Sequence, residues 1–307
     1  GERYSFTADE GESVVRGEYS WKTADKADWR ISLEGAYNRL DMQSALGSLQ
    51  ADGSYLDVPL PGGSTKVDEK RSELMLSYGR PLSSTLTLQS SLGAEYSRIS
   101  QSGPNGQTRQ FVRPKGRVNL SWKADPTLTV NATLERRVDQ LSFYDFVASV
   151  DLQNNNGTAA NPELVPPQVW RAELEAIKQF GKYGSLTVAV AHARISDIVD
   201  RIPISATEEA IGNLPSAKRY RFSGKATLLG EPLGLPGVKV DAEWTLRKAE
   251  LRDPLTGAIR PISGDPIRSL SLELRHDIKG TNWAWGAFAF EGANYPVYRL
   301  DAIFRDY

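Results

Sequence analysis

The stretch TLTLQSSLGAEYS, Thr85–Ser97, sorts its residues by parity. Leu86, Leu88, Ser90, Leu92, Ala94 and Tyr96 fall on one side, and Thr87, Gln89, Ser91, Gly93, Glu95 and Ser97 on the other. A period of two is the repeat of a β-strand, whose successive side chains point to opposite faces; helical apolar positions recur every three or four residues instead. The division returns in TLTVNATLE, where Leu128, Val130, Ala132 and Leu134 oppose Thr129, Asn131, Thr133 and Glu135. It returns again in VKVDAEWTLR, with Val238, Val240, Ala242, Trp244 and Leu246 opposite Lys239, Asp241, Glu243, Thr245 and Arg247. Each segment separates an apolar surface from a wet one, and the chain reads as all-β with almost no helix.

The connections between these segments alternate in length. TADKA, RPLSS, KADPT, FGKYG, GEPLGLPG and IKGTN are short and rich in Gly, Pro and Lys, the composition of tight turns. Between the hairpins lie longer polar stretches: Gln43 to Ser64, SQSGPNGQ, Ser142 to Gln168, Ser205 to Ser216, and Arg252 to Pro266. A meander in which every second connection is long collects the long loops at one end of the sheet and the tight turns at the other. Outer-membrane β-barrels have this asymmetry, with short periplasmic turns and longer extracellular loops.

A water-soluble antiparallel sandwich alternates as well, and periodicity alone does not say which face meets lipid. Three features favour the transmembrane barrel. Strands of about ten to fifteen residues exceed the usual five or six and satisfy the nine to eleven that a membrane strand needs. Trp21, Trp29, Trp122, Trp170, Tyr183, Trp283 and Trp285 gather near strand ends, as girdle residues do. The polar faces carry dense mixed charge, Arg171, Glu173 and Glu175 on one strand and Lys239, Asp241 and Glu243 on another, which suits a hydrated lumen.

Composition removes other classes. The 307-residue chain is 40% hydrophobic with a formal charge of −1, so it is neither disordered nor basic enough for a nucleic-acid binder. With no cysteine there is no disulfide scaffold, thiolate metal site or cysteine nucleophile. A mean hydropathy of −0.42 is compatible with a barrel, whose lumen and loops are polar. No apolar run reaches the roughly 20 residues of a spanning helix, and the abrupt GERYSF start, without a signal peptide, favours an excerpt of a longer protein.

No residue constellation points to an enzyme, a metal or a cofactor. The two histidines, His192 and His276, lack a second strong ligand at metal-like spacing and read as ordinary strand residues. Glu173 and Glu175 share a strand face and read as lumen residues rather than an acid/base pair. The best candidate for ligand binding is Phe143, Tyr144, Asp145 and Phe146, aromatics within a polar loop that could stack on a ligand. The alternative is that they finish a strand and anchor it at the interface.

Several segments resemble TonB-dependent outer-membrane receptors. NGTAANPELVPPQVWRAELEAI is similar to the place where a long external loop of that family ends in an Asn-Pro-x-Leu-x-Pro-like motif and enters a strand. GSLTVAVAHARISDIVDRI resembles the next strand, GNLPSAKRYRFSGKATL the family's Asn-x-x-x-Ala-x-x-x-Gly strand, and AWGAFAFEGANYPVYRLDAIFRDY a late region. The matches keep the family's order over roughly the last half of the chain; the first half matches only in hairpin rhythm. On this reading Asn161, Pro162, Pro166 and Pro167 end the loop, Trp170 re-enters at the interface, Ala172, Leu174 and Ala176 face lipid, and Arg171, Glu173 and Glu175 face the lumen.

The resemblance implies an outer-membrane receptor of a Gram-negative bacterium. It would capture a small-molecule ligand such as a ferric siderophore, cobalamin or a glycan and import it with energy from the TonB system where a plug is present. Residues 1–307 then form one barrel domain, incomplete at about thirteen or fourteen strands of the roughly 22 of such transporters. No plug-like sequence precedes GERYSF, and FRDY imitates the family's C-terminal aromatic signature on an earlier strand. Outer-membrane lipid is the implied environment. Two other readings stand beside import: an outer-membrane anchor for envelope-complex partners, and a passive porin-like channel.

Overall fold

In a computed structural model, which describes residues 1–58, 64–102, 106–146, 149–151, 156–159, 161–205, 209–300 and 303–304, twelve long strands form one antiparallel meander. They are β1 (Glu2–Lys22), β2 (Asp28–Leu49), β3 (Ser64–Pro81), β4 (Leu86–Gln101), β5 (Thr108–Asp125), β6 (Leu128–Val138), β7 (Gln168–Gln179), β8 (Gly184–Pro203), β9 (Glu209–Leu229), β10 (Val238–Arg252), β11 (Pro266–Asp277) and β12 (Ala284–Asn294). Each pairs with the next in the chain, and among the described residues β1 pairs only with β2 and β12 only with β11. Sequential order follows from the turns, because antiparallel neighbours need only a few residues to reverse direction. In KADPT the Asp125 carboxylate accepts from the Thr127 N–H at 2.7 Å and from its hydroxyl at 2.6 Å, closing the reversal locally. In GEPLGLPG a single 3₁₀ turn, Glu231–Leu233, ends on Gly234 at φ 78°, a left-handed conformation that glycine adopts without strain.

The register assigns every side chain to a face. On one face lie Trp29, Ile31 and Leu33 of β2, Leu74, Leu76 and Tyr78 of β3, Leu88 and Leu92 of β4, Val118, Leu120 and Trp122 of β5, and Trp170 and Leu174 of β7. That face is bare: Leu33 is 59% exposed, Leu92 72% and Leu174 51%. Among the described residues no layer covers these leucines, which is the reverse of a soluble sandwich. The other face carries Arg30, Ser32 and Glu34 of β2, Arg71, Glu73 and Ser77 of β3, Arg117 and Asn119 of β5, and Arg171, Glu173 and Glu175 of β7.

Buried side chains sit where the polar face approaches the long loops. Leu40, Met42, Val67 and Ile99 pack there with Phe146 and Leu164 of the β6–β7 loop. Val169, Ile195, Leu214, Ala217 and Leu251 form a second cluster with Ile262 of the β10–β11 loop. One face is thus polar midway along the strands and apolar at the loop end, because loops fold back and cover it.

Strands of 20 to 22 residues extend into stretches whose composition predicts loops. Ser205 to Ser216 was expected to be a polar connection, yet β9 begins at Glu209 and pairs with β8 as far as Pro203. The ladder is irregular at Asp197, φ 56°, opposite Pro215, which has no N–H to offer it. The turn-forming residues of this stretch mark an irregularity within a long hairpin. Twelve long strands form the path of the sheet, and two short ones, Tyr55–Val58 beside β2 and Ile259–Arg260 beside β10, extend its antiparallel pairing to the thirteen or fourteen strands expected. FRDY falls partly outside the described residues; Ile303–Phe304 pairs with Val297–Tyr298 in a two-stranded ribbon separate from the main sheet.

Candidate functional site

The polar face is hollow. A cavity of about 1160 Å³ runs from β1 to β7, lined by Arg30, Gln89, Arg117, Asn119, Asn131 and Glu175 among others. Beside the cavity, charged groups of the same face engage one another. Arg171 and Arg221 both donate to Glu173, Lys115 donates to Glu73 and, at 3.0 Å, to Glu95, and Asn131 donates to Glu175 at 2.9 Å. The three residues expected to face the lumen, Arg171, Glu173 and Glu175, therefore lie opposite Trp170, Ala172 and Leu174. Such contacts within and between strands hold long side chains in fixed positions while leaving their surfaces wet, which suits a lining that must stay polar without swelling. Each histidine lies on the other, apolar face: His192 packs against Tyr220, and His276 Nδ1 accepts from the Trp285 indole at 3.1 Å.

Above this cavity the β6–β7 loop lies across the polar face. Its first limb carries a 3₁₀ turn, Phe143–Phe146, and its second limb is the Asn161–Pro167 stretch. Tyr144 Oη donates to Glu10 of β1 at 3.1 Å, and Gln101 of β4 donates to the Phe146 carbonyl at 2.9 Å. On the second limb Asn161 caps the turn by accepting from the Glu163 N–H at 2.9 Å and donates to the Ile211 carbonyl of β9 at 2.8 Å. Asn213 closes the same seam, accepting from the Val165 N–H at 2.8 Å and donating to the Val165 carbonyl at 2.9 Å. Leu164, 1% exposed, and Phe146, 2% exposed, press into the β2–β4 cluster between these anchors. The loop is a strap from β1 to β9.

The four candidate ligand residues divide accordingly. Phe146 is a core residue, so its ring is not free to stack on a ligand, and Phe143 packs beside the same cluster. Burial pushes the Asp145 carboxyl above the ordinary aspartate range, with Arg201 partly offsetting it. Tyr144, 46% exposed, presents a ring toward solvent, beside Phe6 at 6.3 Å. A smaller hollow of about 390 Å³ opens beneath Tyr144, lined by Glu10, Glu12, Asn38, Glu69 and Gln140. Sequence reasoning missed Glu10, Glu12, Asn38 and Asn213. The last sits in the GNLPSAKRYRFSGKATL segment and was visible as a motif residue, whereas the first three needed the strap's path to be known.

A bare apolar side, an ion-paired polar side and loops gathered at one end define the wall of a transmembrane β-barrel. No family model matches the sequence, and no curated protein matches it. The fold itself is similar to solved outer-membrane receptors. The copper transporter OprC aligns over 93% of this chain and 43% of its own, with TM-score 0.69 and 11% identity. The pyoverdine outer-membrane receptor FpvA from Pseudomonas aeruginosa aligns over 95% and 43%, with TM-score 0.67 and 13% identity. The ferric yersiniabactin uptake receptor FyuA from Yersinia pestis aligns over 97% and 44%, with TM-score 0.67 and 12% identity. The fold is that of the barrel of TonB-dependent outer-membrane receptors, and the chain spans less than half the length of these structures.

Proposed function

We propose that the chain is part of the wall of an outer-membrane receptor that takes up a scarce nutrient with energy from the TonB system, and that it is not an enzyme. The observation that carries this reading is the division of the same strands into a bare apolar side and a hollow, ion-paired side. The first matches hydrocarbon and the second matches an aqueous passage for a polar ligand. Similar folds belong to receptors and transporters described for copper, pyoverdine and ferric yersiniabactin, which supports a siderophore- or metal-like ligand here, with cobalamin and glycan-like molecules as the other ligands to be tested. Tyr144, on the strap over the hollow, is the residue best placed to meet such a ligand at the external mouth. Phe143 and Asp145 would support it from below, and Arg171, Glu173 and Glu175 would line the path beneath.

The test is uptake of labelled ferric siderophores, cobalamin and oligosaccharides by the native host, with and without a protonophore. Energised import predicts accumulation that needs both the native protein and the proton-motive force. Accumulation that needs the protein but ignores the protonophore would replace this reading with a passive channel; no accumulation of any of the three, with loss of an envelope complex instead, would replace it with an anchor.

A further inference from the structure

Two rows of the polar face, followed across neighbouring strands by register, gather arginine. The first runs Arg117, Glu135, Arg171, Ala193 and Arg219, and the second Asn119, Thr133, Glu173, Ala191, Arg221 and Arg247. They lie directly beneath the apolar cluster that the β10–β11 loop covers, since Ala193 and Ala249 of that cluster flank Arg219 on either side. Arg219 is satisfied by Asp265, through Nε at 3.1 Å and Nη2 at 2.6 Å, and Glu135 lies 3.7 Å from Arg137. Arg171 and Arg221 both donate to one oxygen, Oε2 of Glu173. Among the described residues Arg117 and Arg247 have no carboxylate within ion-pairing distance.

Arg221 and Arg247 stand directly opposite each other on β9 and β10, and like charges so placed destabilise a ladder. The Arg221 Nε is buried and has no hydrogen-bond partner among the described residues, so this guanidinium has a donor to spare. Elsewhere the same face avoids that cost: Lys115 reaches Glu73 and Glu95, Lys225 reaches Glu243, and Lys239 reaches Asp241 at 2.7 Å. The surplus of positive charge is therefore local. Between β7 and β9 the polar-face side chains of β8 are Ala189, Ala191 and Ala193, which leave a shallow trough. Glu173 and Arg221 meet across it, their backbones two strand spacings, roughly 10 Å, apart. The cavity of about 1160 Å³ is lined by both Arg117 and Glu173, so the trough opens onto it.

We propose that the trough binds an oxyanion, a carboxylate or phosphate group of the ligand, and that Glu173 holds the place as an internal counter-ion until such a group displaces it. The site rests on the reading of the polar face as the aqueous passage of an uptake barrel. A carboxylate or phosphate presents several oxygens to the guanidinium forks of Arg221 and Arg247, where Glu173 presents one to Arg221. Its arrival satisfies the Arg221 Nε, neutralises the facing pair and leaves Glu173 to Arg171. One ion pair is exchanged for another, so the ligand is held and can still be released.

The probes are malonate and inorganic phosphate, titrated by calorimetry into the native protein in a neutral detergent at physiological ionic strength, with malonamide as the uncharged counterpart of malonate. Malonate, phosphate or both should bind, and malonamide should not. R221Q with R247Q should weaken anion binding roughly thirty-fold, the loss of two charge-assisted contacts in a wet site. E173Q should instead tighten it roughly tenfold, a gain that misfolding does not produce. K225Q with K239Q, which removes two charges from the turn half of the same face, should leave it unchanged. Equal binding of malonamide, no anion binding to the native protein, undiminished binding in R221Q/R247Q or an equal loss in K225Q/K239Q would overturn the site; weaker binding in E173Q would overturn the place-holding role of Glu173. Uptake with and without the protonophore distinguishes the site from the function beneath it. Anion binding without energised uptake removes the uptake reading alone, whereas energised uptake by a protein that binds neither anion removes the trough alone.

Discussion

Phe146 and Gly224 show how a single position can set local order on each side of the wall. Phe146 is the largest wholly buried side chain and the point at which the strap is held to β2, β3 and β4. Truncating it to Ala removes most of a buried ring, a change that costs about 3–5 kcal/mol when the site does not collapse. The loss should be local, because the strands below keep their ladder. Amide exchange across residues 139–146 should accelerate strongly in F146A while exchange in β7 stays slow, and unchanged exchange in the strap would remove Phe146 as its anchor. On the apolar side Gly224 faces Trp244, and a Cβ there would meet the indole at 2.1 Å. G224V should lower the thermal midpoint by an overpacking cost of about 1–3 kcal/mol. Combining it with W244A should return part of that loss, since the clash and the ring disappear together; strictly additive losses would mean that the two side chains do not compete for space.

At the scale of elements, hairpins were legible and their length was not. Alternation in TLTLQSSLGAEYS and the turn chemistry of KADPT gave each strand its face and each pair its reversal, because both signals are local. Strand ends at the loop side were hidden, since Leu40, Met42, Val67 and Ile195 continue the polar-face parity but change its character from charged to apolar. Their burial depends on loops that arrive from elsewhere in the chain. Phe146 was misread for the same reason: an aromatic in a polar loop looks available until the partner that buries it, here from β2, β3 and β4, is known. The Asp125 turn carries a pH prediction. Its carboxyl lies at about 2, below the ordinary aspartate value of 3.8, held chiefly by the Thr127 hydroxyl, then by the Thr127 N–H and Lys178. A carboxyl with a depressed folded pKa stabilises above its unfolded value and loses that contribution as pH falls through the folded one. The β5–β6 turn should therefore loosen between about pH 4 and about pH 2. Amide exchange of Thr127 should speed up over that interval in the wild type and be already fast, with no such step, in D125A.

For the whole molecule the decisive quantity is which face meets hydrocarbon. On β2 the apolar side runs from Trp29 to Tyr37, eight residue steps that span roughly 27 Å along a strand and about 20 Å once tilted as barrel strands are. That height is close to the hydrophobic band of an outer-membrane wall, and Leu33 sits at its middle, four residues from each aromatic. Ser32, its chain neighbour, points to the polar side, across the ladder from Glu18 and Met75. The two positions differ by one residue in sequence and by the full width of the wall in environment. Arginine at the midplane of a lipid-facing strand costs about 2–4 kcal/mol, while arginine among lumen carboxylates is nearly free. L33R should lower the urea midpoint for folding of the native protein into phosphatidylcholine bilayers by that cost, and S32R should leave it close to wild type. Matching losses in the two variants would mean that both faces meet the same medium, and a larger loss for S32R would turn the wall inside out.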